Sequence, residues 1–185
     1  EEADAAVAAY LSYQRRQRFG AGTGVFCALL RRLPLLELTA LDPSPAMLAI
    51  LATRPGLADV HAVVGSCDEP GDRDRFDGGR FDVIVGRQVL NGLFDPLGAF
   101  RHWRHWLVPR GLVVMIEGLY GRDGWCGDWA EEADALPLAA TQSLATVPYL
   151  LEAMGFEIAA VEQMAAVNTL STTRTPRYVV VARAP

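Results

Sequence analysis

The sequence predicts an α/β domain in which short apolar strands alternate with amphipathic helices. Three observations carry this. Residues 20–24 form a glycine-rich turn, Gly20-Ala21-Gly22-Thr23-Gly24. An amphipathic run over 25–32 follows, and then an apolar strand over 36–41 with a carboxylate, Asp42, at its end. Glycines let a backbone approach a ligand closely, and the next helix turns its positive N-terminal end toward it. An aspartate just past the next strand accepts hydrogen bonds from both hydroxyls of a ribose.

Composition narrows the class. A chain of 185 residues suits one domain with a sizeable core, and 51% hydrophobic with 21% charged residues is a globular balance. No apolar run reaches a membrane span, and the opening EEADAAVAAY has no signal-peptide pattern, so a cytoplasmic protein without membrane association is expected. Cys27, Cys67 and Cys126 lack metal-type spacing and are odd in number, which argues against a metal site and a disulfide framework. A net charge of −5, with no basic run beyond Arg15, Arg16 and Arg18, argues against a nucleic-acid partner. All 17 basic residues are arginine, which reads as the bias of a GC-rich genome.

Spacing selects the cofactor. A dinucleotide fingerprint needs G-x-G-x-x-G, whereas here the third glycine comes one position early and Val25 stands in its place. The G-x-G-x-G form with an acidic end to the next strand resembles class I S-adenosylmethionine-dependent methyltransferases of the small-molecule, UbiE-like type. A second match is the run FDVIVGRQVLNGLFDPLGAFRHWRHWLVPRGLVVMIEG, which looks like that family's segment from fourth to fifth strand. The resemblance covers about residues 20–185. It implies a three-layer Rossmann-like methyltransferase sandwich whose mostly parallel sheet is closed by an antiparallel C-terminal strand pair. It also implies one domain over 1–185, with a helical segment at 1–17 over the cofactor site and a substrate-side loop or lid at 118–142.

Taken in order, residues 1–17 read as a helix from the strong formers Ala5, Ala6, Ala8, Ala9 and Leu11. The resemblance makes Tyr13 a cofactor contact and Tyr10 a substrate contact, against the plainer reading that both pack on the sheet. The family's first strand then departs from pattern. Its place is taken by Tyr13-Gln-Arg-Arg-Gln-Arg-Phe19, with Arg18 where an acid is usual. Three arginines do not fit a central parallel strand buried on both faces. The strand is therefore displaced, or residues are missing from the chain as given.

Pro43-Ser-Pro-Ala-Met47 opens a helix running to about Ala52, with proline suited to its first turn. Pro43 and Met47 are then expected beside the cofactor, Met47 facing adenine or serving as core. A third strand over 60–64 leads to Ser66, Cys67 and Asp68, which the resemblance places at the adenine edge. The charged stretch 69–79 reads as a surface loop or short helix meeting water. The fourth strand over 81–85 ends at Gly86-Arg87. Gly86 lets the cofactor lie against backbone, and Arg87 binds an acidic group or closes the loop with a salt bridge. Asn91 follows in the loop that carries the substrate face.

Asp95-Pro96 opens a helix on which Leu97, Phe100, Trp103 and Leu107 recur at helical spacing. His102 and His105 read as surface histidines rather than metal ligands or bases. Pro109-Arg-Gly111 turns into a strand over 112–117. Beyond it, 118–129 is a glycine-laced loop in which Tyr120, Trp125 and Trp129 offer flat walls for a substrate. A helix over 143–154 ends at Gly155, and strands over 156–164 and 178–182 close the sheet.

The leading expectation is transfer of a methyl group from S-adenosylmethionine to a small-molecule acceptor in bacterial secondary or cofactor metabolism, by a monomer or homodimer. No catalytic base is assigned, with Tyr10, Tyr13, Asp123 and Asp128 the possibilities. The chain has no Asn/Asp-Pro-Pro-Tyr or Pro-Cys stretch after the fourth strand, the marks of nucleic-acid methylation. Two alternatives remain: a nicotinamide-dependent oxidoreductase, and a non-catalytic cofactor- or partner-binding relative.

Overall fold

A computed structural model of the chain describes residues 20–33, 36–122, 125, 128–170 and 175–185. The stretch expected as an N-terminal helix and a first strand, with Tyr10, Tyr13 and Arg18, lies outside them.

The described chain runs α1 (Val25–Leu30), β1 (Thr39–Asp42), α2 (Pro45–Ala52), β2 (His61–Val64), β3 (Phe81–Arg87), α3 (Pro96–Trp106), β4 (Leu107–Gly118), α4 (Asp128–Ala135), α5 (Thr146–Ala153), β5 (Glu157–Gln163), α6 (Ala165–Asn168) and β6 (Arg177–Arg183). The strand expected over 36–41 is β1, shorter at its start and carrying Asp42 as its last residue. Helix α2 begins where the sequence places it. Pro45 occupies its first turn, and the Ser44 hydroxyl caps it by accepting the Met47 N–H at 3.1 Å.

Among the described residues the strands form two ladders. Parallel β1 and β2 make one, and the other has the order β3-β4-β6-β5. Within the second, β3 and β4 run parallel while β6 lies antiparallel between β4 and β5. That is the expected closing pair. The edges of β1 and β3 face a common cavity.

The core divides the same way. Leu48, Leu51, Leu57, Val60, Cys27 and Ala40 pack around β1 and β2. Phe100, Trp103, Trp106, Val113, Met115, Leu151, Tyr178 and Val180 form the larger core. Helix α3 buries Ala99, Phe100, Trp103 and Trp106, whereas Leu97 is exposed and Leu107 already belongs to β4, so the apolar stripe is shifted from the one expected. The turn at 108–111 interrupts the β3–β4 register, with Phe81 opposite Leu107 and Val83 opposite Leu112. Arg110 adopts φ 66°, the left-handed region that favours glycine.

Two further expectations are corrected. His102 is not a surface residue: it is 6% exposed, and its Nδ1–H donates to the Cys67 carbonyl at 3.0 Å. Its ring lies 5.9 Å from that of Trp106, so the histidine ties α3 to the end of β2's loop. Nor do all charges of 69–79 meet water. Asp72 is buried in a 3-10 turn (Pro70–Arg75), where it accepts the Glu69 N–H and pairs with Arg75. No helix of the described residues is long and apolar enough to cross a membrane.

Candidate cofactor and acceptor site

A cavity of about 470 Å³ opens at the carboxyl ends of the parallel strands and runs down between β1 and β3. Its size suits a ligand of a few dozen atoms. The glycine turn (20–23), residues 38–41, Pro43, Met47, residues 65–67 and residues 83–89 line it, with Trp103, Trp106 and Met115 below.

The turn holds its shape for reasons specific to each glycine. A Cβ on Gly20 would stand 2.5 Å from the Leu41 carbonyl oxygen, which accepts the Ala21 N–H at 2.9 Å. Gly24 has φ 80°, and a Cβ there would meet the Leu51 side chain at 2.7 Å. The third glycine is thus a packing position between α1 and α2. Arg54, at the end of the α2 region, donates from Nε to the Thr23 carbonyl and from Nη2 to the Thr23 hydroxyl at 3.3 Å. Nothing in the sequence pattern singles out that arginine.

Asp42 is 3% exposed. Its Oδ2 accepts the Gly22 N–H at 2.7 Å and its Oδ1 the Ser44 N–H at 2.9 Å. Burial pushes its carboxyl above the ordinary carboxylate value, while the bonds from Ser44 and Gly22 act the other way. The side chain therefore clamps the glycine turn to the start of α2, and it is the neighbouring Leu41 and Pro43 that line the cavity. Each oxygen keeps a second acceptor site.

At the expected adenine edge, Ser66 and Cys67 line the cavity. The Ser66 hydroxyl donates to Asp68 Oδ1, and Asp68 Oδ2 accepts the Phe94 N–H at 2.8 Å. Asp68 is buried and does not line the cavity, its carboxylate fixing the 94–95 segment instead. Burial pushes the Cys67 thiol up to about 12, so it stands as an unreactive wall.

On the opposite side, Gly86 is bare because a Cβ would meet Met115 Sδ at 2.7 Å. Arg87 lines the cavity, is exposed, and makes no ion pair among the described residues. Gln88 also lines it and holds φ 57°, a strained value for a non-glycine residue. Its Nε2 donates to Tyr120 Oη at 2.6 Å. Asn91 is buried in the next turn (Leu90–Gly92), its Oδ1 without a partner among the described residues.

Glu117, missed by the sequence reading, ends the apolar run of β4 in the interior. It is 2% exposed, and its Oε1 accepts the N–H groups of Val89 and Leu90 at 2.9 and 3.1 Å. Burial raises its pKa to about 7 against those bonds and the nearby Arg177.

Of the aromatic wall, Tyr120 stands beside Gln88, and next to that ring, 6.5 Å between centroids, lies Trp125. Its Nε1–H donates to the Ala139 carbonyl at 2.9 Å, and its ring packs on Ala133, Leu136 and Ala139. The side chains of Asp128 and Trp129, together with Asp123, lie outside the described residues. No group of three metal-ligating side chains occurs among the described residues.

The cavity fits S-adenosylmethionine on its donor set and on its cradle. A bare glycine turn, a methionine and a thiol wall border one lobe, and a cationic Arg87 borders the other. Residues 18–113 match the family model described as Methyltransferase domain. No curated protein matches the chain. Among solved structures, an S-adenosylmethionine-dependent methyltransferase from Mesorhizobium loti is 21% identical, with 89% of this chain and 88% of that one covered at a TM-score of 0.65. One from Aquifex aeolicus is 17% identical, covering 90% and 79%, at 0.66. The methyltransferase CalH in complex with SAH is 20% identical, covering 92% and 52%, at 0.69. At these identities the likeness is one of fold.

Proposed function

Since the chain belongs to the methyltransferase domain family, we propose that it moves a methyl group from S-adenosylmethionine to a small-molecule acceptor. The observation that carries the reading is the cavity at the strand ends, bounded by the glycine turn on one side and by Gly86 and Arg87 on the other. The enzyme is an S-adenosylmethionine-dependent methyltransferase, and that cofactor supplies a methyl group already activated on sulfur. The nicotinamide alternative is set aside with the family assignment.

What remains for the protein is placement, which alone supplies a large part of a transfer rate. Asp42 and Arg54 hold the turn 20–24 open from opposite sides. Met47, Ser66 and Cys67 border the adenosine end, with Met47 as an adaptable apolar contact. Leu41 and Pro43, on either side of the Asp42 clamp, border the ribose end, and Arg87 suits the cofactor's carboxylate. Glu117, through Val89 and Leu90, fixes the turn that the acceptor meets. The modest cavity and the neighbouring Tyr120 favour a small, partly aromatic acceptor over a macromolecule. The all-arginine basic set supports a GC-rich bacterial source, and with it a role in secondary or cofactor metabolism.

Calorimetry with S-adenosylhomocysteine, followed by a screen of acceptors with labelled cofactor, tests this. Binding with label transferred to a small molecule is the expected result. Binding without transfer to any acceptor would identify a non-catalytic relative, and no binding would remove the reading.

A further inference from the structure

Strand β6 runs antiparallel to β4, so its first residue, Arg177, pairs with the last of β4, Gly118. That brings Arg177 to the same end of the sheet as Gly86 and Arg87. A Cβ on Gly118 would stand 2.6 Å from Arg177 Nη1 and 2.9 Å from Tyr120 Cζ, so the bare glycine admits both side chains. Tyr120 Oη accepts Gln88 Nε2 and Arg177 Nη1, each at 2.6 Å. The guanidinium carbon lies 5.5 Å from the Tyr120 ring centroid. Asn168 fixes the backbone beneath, its Oδ1 accepting the Arg177 N–H at 2.7 Å and its Nδ2 donating to the Arg177 carbonyl at 3.0 Å.

The cluster is rich in donors. Both Tyr120 lone pairs are engaged, so its own O–H is left to donate, and among the described residues the guanidinium has N–H groups to spare. Among the described residues no carboxylate lies within ion-pair distance of Arg177. Glu117, beside Gly118 on the partner strand, feels the Arg177 charge, but it is buried and its Oε1 holds the Val89 and Leu90 N–H groups. Gln88 joins this cluster to the cofactor cavity, whose wall it forms.

We propose that Arg177, presented by Tyr120 and Gln88 across Gly118, anchors a carboxylate on the methyl acceptor. A planar two-oxygen anion matches a guanidinium fork and one phenolic donor. The proposal rests on the methyltransferase reading above.

The test uses the protein saturated with S-adenosylhomocysteine and two probes, 4-hydroxybenzoate and its neutral amide, 4-hydroxybenzamide, titrated by calorimetry. The wild type should bind the carboxylate roughly tenfold or more tightly than the amide. Arg177→Met should abolish that preference while leaving S-adenosylhomocysteine affinity unchanged, and Arg177→Lys should restore part of it. Tyr120→Phe, with the ring kept, should reduce the preference several-fold. Circular dichroism and cofactor affinity confirm that each variant is folded. Equal binding of the two probes, binding of neither, or a preference that survives Arg177→Met overturns the subsite alone. Loss of S-adenosylhomocysteine binding by the wild type overturns the cofactor reading and the subsite with it.

Discussion

The carboxylate of Glu117 holds the backbone N–H of Val89 at 2.9 Å, so the buried end of β4 fixes the turn that follows β3. One oxygen serves two donors, Val89 and Leu90, from inside the protein. The acid is therefore part of the scaffold under the cavity wall.

Its titration gives a pH signature. The folded-state pKa is raised from 4.5 to about 7 by burial, so the native protein holds this proton where the unfolded chain has lost it. The associated stability is full below about pH 4.5 and is lost as pH rises through about 7. Glu117→Gln, which keeps an acceptor for both N–H groups, should flatten that slope, by roughly 2–3 kcal/mol between pH 5 and 7.5. Urea midpoints of both proteins at the two pH values check it. Parallel slopes would mean that the group titrates as it does unfolded.

Asp42→Ala removes the clamp between Gly22 and Ser44. The buried Ser44 N–H and the half-buried Gly22 N–H lose their acceptor, so unfolding free energy should fall by about 2–4 kcal/mol. Affinity for S-adenosylhomocysteine should fall as well. Denaturation and calorimetry on the same preparation separate the two losses, and an unchanged affinity would mean that the turn keeps its shape without the clamp.

Arg54→Ala releases the Thr23 carbonyl and hydroxyl from outside the turn. The turn then loses preorganisation more than the fold loses packing. The expected outcome is about a tenfold weaker cofactor affinity with little change in melting temperature. A fall in melting temperature with affinity intact would reverse that assignment.

Gly24→Ala combines an unfavourable φ of 80° with a Cβ 2.7 Å from Leu51. It should cost about 1–3 kcal/mol of stability by forcing α1 away from α2. Trp125→Ala, in contrast, should loosen a local unit. It strips the packing of Ala133, Leu136 and Ala139 and frees the Ala139 carbonyl. Hydrogen exchange should quicken over 128–139 while the cores around Phe100 and Leu51 stay protected.

The sequence made the elements visible where chemistry is local. The turn 20–24, the strand closing on Asp42 and the proline-led starts of α2 and α3 follow from spacing and residue type, and the closing C-terminal pair from the resemblance. What it hid depends on partners far along the chain. His102 reads as polar and exposed until the Cys67 carbonyl, 35 residues away, is brought against it. Arg54 and Arg177 are isolated arginines in sequence, and only the fold puts them against Thr23 and Tyr120. Asp42 was legible in position but not in orientation, because the acceptor demand of Gly22 and Ser44 appears only once the turn has closed. Trp125 looked like a loop aromatic until helix α4 supplied its floor.

The buried ring of His102 has a mechanical corollary. It spans from α3, which packs on the four-stranded ladder, to the backbone of Cys67, which borders the cavity. Helix and cavity wall are thus geared together, and a shift of one is felt by the other.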